Sequence, residues 1–218
     1  MEPSCGLKND NGMTDKTKCI SLVGIAVLFL LAQYLVGAHF VAWFPTFYIH
    51  GTNWNWSGEA ACILVSLLMI AGWPWLRQNV GLTWRQAPGS LRWSLIIFLS
   101  MFVCGAVGGL VGPLPPSMKT PDTFWFQATM PSLAEELADR GIALALLERA
   151  FGKSPISCRW RFGWASLIVS LLFWQGHGLI RVDTFFTGAV FAIVRTRSGS
   201  LVWPMLCHSA LNIGSTLF

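Results

Sequence analysis

Charged residues are scarce in this chain of 218 residues, at 11% of the total, whereas 54% of the residues are hydrophobic. Soluble domains carry about 25% charged residues, so this composition excludes an ordinary soluble domain and predicts an integral membrane protein. The formal net charge of +5 does not indicate nucleic-acid binding, because the basic residues lie in short loops between apolar runs and form no continuous basic face. We expect the lipid bilayer, and not nucleic acid, as a partner.

Several signatures of intramembrane chemistry are also missing. The six cysteines are scattered, without a Cys-x-x-Cys pair or metal-ligand spacing, so we interpret them as small apolar packing residues. The chain has no His-Glu-x-x-His for a zincin-type site and no Gly-x-Ser-x-Gly for a serine nucleophile. The aspartates within or bordering apolar segments, Asp139 and Asp183, lack the Gly-x-Gly-Asp context of an aspartyl dyad.

Apolar segments occupy most of the chain and predict an all-α, polytopic membrane helix bundle of about seven transmembrane helices. The predicted spans are residues 19–44, 57–76, 91–112, 123–151, 161–179, 183–194 and 200–218. The sixth is short for a spanning helix, which rises about 1.5 Å per residue. Residues 1–18 are polar and are predicted to form a disordered tail, so that residues 19–218 form one transmembrane domain.

The positions of lysine and arginine predict the orientation. Twelve of these residues lie in the N-terminal tail and in alternate loops: Lys8, Lys16, Lys18, Arg77, Arg85, Arg92, Arg149, Lys153, Arg159, Arg161, Arg195 and Arg197. The intervening loops contain only Lys119 and Arg181. The positive-inside rule therefore predicts a cytoplasmic N-terminus and a C-terminus on the opposite side.

Ionisable residues nevertheless occur inside three apolar segments, where a charge is expensive and marks a candidate functional site. In the fourth segment, Glu136 and Arg140 are four residues apart on one helix face, and a buried ion pair that holds the helices together is sufficient to explain them. Glu135, beside Asp139 on the neighbouring face, has no evident cationic partner in its own helix. A poorly solvated carboxylate of this kind suits a general base.

Two further motifs contain histidine. The fifth segment has Phe173-x-x-x-His177, and the seventh has His208-x-x-x-Asn212. A lone histidine in an apolar helix is usually a packing residue, and polar groups in membranes commonly form bonds between helices. Alternatively, His208 and Asn212, on one helix face, can donate hydrogen bonds to the same small group, such as an oxyanion.

Three other polar residues are left out of the predicted site. His39, near the end of the first span, and His50, in the following loop, have no motif partner. Glu59, near the start of the second span, is expected to lie at the interface and to reach water.

The three motifs, in this order, resemble those of the CPBP family of intramembrane proteases, which includes the CAAX prenyl proteases and bacterial relatives. The family pattern is Glu-Glu-x-x-x-Arg, then Phe-x-x-x-His, then His-x-x-x-Asn/Asp. The pattern is met here by Glu135, Glu136, Arg140, Phe173, His177, His208 and Asn212. The resemblance covers about residues 123–218, the predicted catalytic core. Asp139 is a departure, because the family usually has an apolar or aromatic residue there.

The resemblance implies an intramembrane endopeptidase that acts on a membrane protein or a lipid-associated polypeptide. In that case Glu135, helped by His177, would deprotonate the attacking water, and His208 and Asn212 would stabilise the oxyanion. The supporting residues would be Glu136, Arg140 and Phe173. The family has been described both as glutamate proteases and as metalloenzymes. In the metal alternative Glu135, His177 and His208 would bind zinc, but no compact ligand motif demands a metal, so we predict no cofactor.

The predicted orientation adds a direction to this site. The fourth span enters from the non-cytoplasmic side, so the site is expected to open to that side of a bacterial inner membrane. This favours an exported protein whose membrane-anchoring tail is removed, as in C-terminal processing or sorting. One alternative is a non-catalytic immunity or scaffold protein with the same helices. A transporter is a further alternative, although the chain shows no repeated half and no pair of broken helices.

Overall fold

A computed structural model describes residues 16–43, 47–49, 54–152, 155–157, 162–178 and 180–218. The helices within these ranges are α1 Lys16–Trp43, α2 Trp56–Gly72, α3 Pro74–Asn79, α4 Ser90–Val111, α5 Pro121–Glu135, a π-helical segment Glu136–Ala143, α6 Leu144–Phe151, α7 Trp164–Gly176, α8 Val182–Ser198 and α9 Val202–Leu217. A 3-10 turn, Pro116–Met118, precedes α5, and strands β1 (Pro155–Ser157) and β2 (Phe162–Gly163) form a small antiparallel hairpin.

The predicted helical class is confirmed, whereas the number of membrane crossings remains a prediction. Two stretches are long and apolar enough to cross a membrane by length and composition, Thr17–Gly37 within α1 and Ser90–Val111, which is α4. Helices α2 and α7 are apolar but shorter. Most of the predicted tail, residues 1–15, lies outside the described residues, as do His50 and the basic residues Lys153, Arg159 and Arg161.

Two predicted spans are shorter than expected. The second was predicted to reach residue 76, but α2 ends at Gly72 and Pro74 starts a separate short helix. Proline has no N–H to donate to the preceding turn, so a helix readily restarts at this residue. The fifth was predicted over residues 161–179, but α7 covers only Trp164–Gly176 because β2 occupies residues 162–163.

The acidic motif lies in the middle of a continuous helical rod made of α5, the π-helical segment and α6. Thr120 caps the start, where its side chain accepts a hydrogen bond from the Thr123 N–H, and Pro121 occupies the first turn. Every residue of the π-helical segment is buried. The rod ends before Gly152, whose φ of +73° suits glycine. π-Helical turns occur frequently at functional sites, and this one contains Glu136 and Arg140.

Glycines bring the backbones of α4 and α9 into direct contact. A Cβ atom at Gly105 would overlap the carbonyl oxygen of Leu211, and one at Gly214 would overlap that of Phe102. Gly109, four residues after Gly105, continues the same contact line. Small residues at this spacing allow membrane helices to approach closely. The contact fixes the position of α9, which contains the third sequence motif.

The apolar core has two parts. The larger lies between α1, α2, the π-helical segment, α6 and α7, and includes Leu137, Ile142 and Leu146. The smaller lies between α4, α8 and α9 and is centred on Phe191 and Cys207. The site described next lies where the two parts meet.

Candidate active site

The three sequence motifs meet at the side chain of Glu135. Its Oε1 lies 3.8 Å from Nε2 of His177, and its Oε2 lies 3.8 Å from Nε2 of His208. These distances are too long for direct hydrogen bonds. A small group that lies to one side of either pair can hydrogen-bond to both the carboxylate and the imidazole.

The second nitrogen of each imidazole has a partner that sets the tautomer. Nδ1 of His177 lies 2.9 Å from the carbonyl oxygen of Phe173, and Nδ1 of His208 lies 3.0 Å from Oε1 of Glu136. A carbonyl oxygen and a carboxylate accept hydrogen bonds, so both Nδ1 atoms must donate. Each neutral ring therefore directs the lone pair of its Nε2 toward Glu135. Lone pairs that face a carboxylate require a proton donor or a cation between them, and a water molecule satisfies this requirement.

Arg140, Glu136 and Asp139 form a buried ion-pair cluster next to His208. Arg140 is fully buried, and its Nη1 lies 3.1 Å from Oε1 of Glu136 and 3.6 Å from Oδ2 of Asp139. The guanidinium also stacks over Phe173, with 4.1 Å from Cζ to the ring centroid, and lies 5.6 Å from the centroid of Phe191. Oε1 of Glu136 thus accepts hydrogen bonds from both Arg140 and His208. This shared oxygen links the ion-pair cluster to the group formed by Glu135, His177 and His208.

Aromatic rings fix the orientation of the two imidazoles. The ring of Phe173 lies 4.3 Å from that of His177 and 6.3 Å from that of His208, measured between centroids. Phe191 stacks on His208 at 5.1 Å with an interplanar angle of 26°. The phenylalanine of the Phe-x-x-x-His motif therefore contacts the guanidinium and both histidines. Its position makes it a rigid spacer between the ion pair and the imidazoles.

The centre is open on one side. The side chains of Glu135 and His177 are 28% and 37% exposed, whereas those of Glu136 and His208 are 0% and 7% exposed. Helix α7 ends at Gly176, so it stops at the level of Glu135, about halfway along the rod. The early end of α7 therefore leaves the centre accessible from the side where α5 and α8 begin.

Asn212 is placed one helical turn beyond His208, but its amide contacts a different part of α5. Its Nδ2 donates to the carbonyl oxygen of Gln127 at 3.1 Å. Between this contact and the contact of His208 with Glu136, Ser132 and Ser209 form a hydrogen bond of 2.8 Å. These contacts show that α5 and α9 are antiparallel. Gln127 is about 12 Å from Glu135 along the helix axis. Asn212 thus lies on the approach to the centre, with its second amide hydrogen available.

Two acidic residues not assigned to the site from the sequence contribute to its electrostatics. Asp139 is buried next to Arg140, with its Oδ2 3.6 Å from Nη1 of that residue. Glu59 was expected to reach water at the interface, but it is partly buried in the first turn of α2 and its charge interacts with that of Glu135. The packing of α2 on α5 brings it there, and no local sequence pattern indicates that packing.

The residues named for the metal alternative provide suitable donors at slightly wide spacing. One carboxylate and two imidazole nitrogens are ligand types that zinc takes, and bonds of about 2.0–2.1 Å in tetrahedral geometry place two donor atoms about 3.4 Å apart. The two pairs observed here are 3.8 Å apart. No group of three histidine, cysteine, aspartate or glutamate side chains in the described ranges already has the spacing of a metal site. The donor set therefore fits zinc after a small closing movement.

The fold and the centre together define a class: helical membrane proteins with a buried carboxylate–imidazole centre. Residues 119–214 match the family described as Type II CAAX prenyl endopeptidase Rce1-like. The predicted resemblance is confirmed: residues 119–214 are similar to a family of integral membrane peptidases. Comparison with curated proteins and with solved structures gave no match. The matched region contains all three motifs, whereas α1 to α4 precede it.

Proposed function

We propose that the protein is an intramembrane endopeptidase that hydrolyses a peptide bond of a membrane-associated protein with water activated by Glu135 and His177. The observation that carries this proposal is the convergence of one carboxylate and two Nε2 lone pairs at 3.8 Å. The family match supports a membrane protease in general. The partial exposure of Glu135 and His177 supports access by a substrate, which a purely structural ion-pair cluster does not need.

The first step is water activation. A water between Oε1 of Glu135 and Nε2 of His177 donates one proton to the carboxylate as its oxygen attacks the scissile carbonyl carbon. Protonated Glu135 then returns the proton to the leaving amide nitrogen when the C–N bond breaks. General-base assistance of this kind typically contributes about 10²–10⁴-fold to the rate.

The second step is stabilisation of the oxyanion. His208 contributes when its Nε2 carries a proton, while its Nδ1 hydrogen remains bonded to Glu136 at 3.0 Å. The free amide hydrogen of Asn212 lies one turn away and is suited to a carbonyl of the bound substrate. Loss of one oxyanion donor typically costs about 10²–10³-fold in rate.

A zinc-dependent version of the same protease is the second candidate, favoured by the two Nε2 lone pairs that face Glu135. Glu135, His177 and His208 would hold the ion, which would supply Lewis-acid polarisation and a more acidic bound water. Chelation separates the two candidates. Activity that survives chelator supports the metal-independent form, whereas activity lost on chelation and restored by zinc supports the metal form.

We further propose that the site opens to the non-cytoplasmic side of the membrane. Support comes from the basic residues, which lie at the opposite end of the bundle from the opening of the site. Arg92 is near the start of α4, and Arg195 and Arg197 are at the end of α8. The opening lies near the starts of α5 and α8. A substrate that fits is an exported protein whose C-terminal membrane anchor is removed during processing or sorting. Cysteine-accessibility mapping with impermeant reagents tests this, and labelling of position 177 only from the cytoplasm would contradict it.

A proteolysis assay in proteoliposomes tests the activity itself. Candidate tail-anchored proteins are incubated with the wild type, with Glu135→Gln, and with Asp183→Asn, an exposed carboxylate in an ion pair with Arg181. We expect cleavage by the wild type and by Asp183→Asn, and none by Glu135→Gln. The non-catalytic scaffold alternative predicts instead that Glu135→Gln retains full biological activity in cells.

A further inference from the structure

We propose that the loop between α3 and α4, residues 80–89, is a binding site for the headgroup of an anionic phospholipid. The loop lies at the basic end of the bundle, and its first residue, Val80, is buried beside the π-helical segment. Six arginines belong to this end: Arg77, Arg85, Arg92, Arg149, Arg195 and Arg197. Among the described residues in these segments, Glu148 is the only acid. The local charge is therefore strongly positive.

The loop is held in one conformation by the turn between α8 and α9. Three hydrogen bonds hold the loop: Leu201 N–H to Gly81 O at 2.7 Å, Ala87 N–H to Ser198 O at 2.8 Å, and Ser200 Oγ to Thr83 O at 2.5 Å. Arg195 Nη2 in α8 also donates to the carbonyl of Asn79, the last residue of α3, at 2.8 Å. Gly81 has a φ of +73°, and a Cβ atom there would lie 2.5 Å from Cζ of Arg195. The backbone shape is thus fixed before any ligand arrives.

This rigid loop presents an exposed aromatic ring beside arginine. Trp84 is 80% exposed, Leu82 is 46% exposed, and Arg85 follows directly. Neither Arg85 nor Arg92 has a carboxylate within ion-pair distance in the described parts of the chain. By contrast, Arg181, at the opposite end of the bundle, pairs with Asp183 at 2.9 Å.

The ligand class follows from these side chains and from their place. Guanidinium groups bind phosphate with two parallel hydrogen bonds, and tryptophan prefers the headgroup level of a bilayer. Helix α4, which is long and apolar enough to span, begins at Ser90 directly after the loop, so the loop lies at a membrane surface. In the proposed orientation this is the cytoplasmic surface, where anionic lipids are common.

Topology alone does not account for the arrangement. The positive-inside rule needs arginines on this side, but it needs neither a fixed loop nor an exposed tryptophan. A preorganised backbone lowers the entropic cost of binding. The combination of a fixed backbone, an exposed ring and unpaired guanidiniums points to a specific headgroup site.

Native mass spectrometry of the full-length protein in detergent with added phosphatidylglycerol tests the proposal. Each arginine near an anionic surface changes affinity about fivefold, so we expect Arg85→Gln/Arg92→Gln to bind phosphatidylglycerol about 25-fold more weakly. Trp84→Ala should also weaken binding at unchanged charge. Arg181→Gln, at the opposite end, is the matched control and should bind like the wild type.

Three results would overturn the proposal. Equal binding by the double variant and the wild type would show that Arg85 and Arg92 do not hold the headgroup. Loss of binding in the double variant without any loss in Trp84→Ala would indicate diffuse charge attraction rather than a built site. Equal displacement of the lipid by inorganic phosphate would indicate a general anion site. Monodispersity and circular dichroism of each variant establish that it is folded.

Discussion

Glu135 and Glu136 are neighbours in sequence, yet the structure places them in opposite environments. Glu136 has no exposed side-chain surface and shares its Oε1 between Arg140 and His208, whereas Glu135 is 28% exposed and faces two imidazole nitrogens at 3.8 Å. One carboxylate is neutralised by an adjacent cation, and the other is left available. Two identical acids at adjacent positions of a membrane helix can therefore have different environments, and we propose a structural role for Glu136 and a reactive role for Glu135.

Removal of the charge of Glu136 should have the largest effect on stability. Glu136→Gln removes the nearer negative charge, so that the longer 3.6 Å contact to Asp139 is the remaining carboxylate contact of Arg140 among the described residues. Breaking a buried ion pair typically costs about 3–5 kcal/mol. We expect a loss of this size in the free energy of unfolding, measured by tryptophan fluorescence during denaturation in detergent. A variant as stable as the wild type would show that the pair does not hold the fold.

Loss of His208 should mainly affect the rate. In His208→Gln the side chain can still bond to Glu136, but the imidazole Nε2 that the proposed oxyanion step requires is lost. We expect cleavage to slow by about 10²–10³-fold, with the unfolding midpoint close to that of the wild type. A large loss of stability with an unchanged rate per folded molecule would assign His208 to the structural cluster instead.

Asn212 should contribute less than His208, because one of its amide hydrogens already bonds to Gln127. We expect Asn212→Ala to reduce cleavage about tenfold, the effect of roughly one neutral hydrogen bond. Steady-state kinetics separate the possible causes. A change in KM alone would place Asn212 in substrate binding, and no change in either constant would remove it from the site.

Asp139 should have the smallest effect on folding. Its 3.6 Å separation from Arg140 is longer than a hydrogen bond, so Asp139→Asn is expected to change the free energy of unfolding by less than about 1 kcal/mol. The same denaturation experiment measures it beside Glu136→Gln. A loss as large as that of Glu136→Gln would show that Asp139 is an equal partner in the ion pair.

Much of the architecture follows from periodicity and composition, since apolar segments with polar breaks indicate membrane helices. The meeting of Glu135, His177 and His208 agrees with their motif order, although their roles remain proposals. Local sequence does not show the partner of Asn212 or the proximity of Glu59 to Glu135, because both depend on how helices far apart in sequence pack. The late start of α7 was also missed, since β2 occupies residues 162–163 immediately before this helix.

The π-helical segment is a further feature that the sequence does not indicate. Its residues Glu136–Ala143 would read as ordinary α-helix by spacing. The wider turn is stable only because the surrounding helices bury it on every side. Tertiary packing therefore decides which side of the rod each acid faces.

The most direct test of the account is a paired measurement on Glu135→Gln and Glu136→Gln, in which the cleavage rate per folded molecule and the free energy of unfolding are determined for each. We expect Glu135→Gln to slow cleavage by about 10²–10⁴-fold without loss of stability, and Glu136→Gln to destabilise the fold. Cleavage undiminished in folded Glu135→Gln would contradict the central claim.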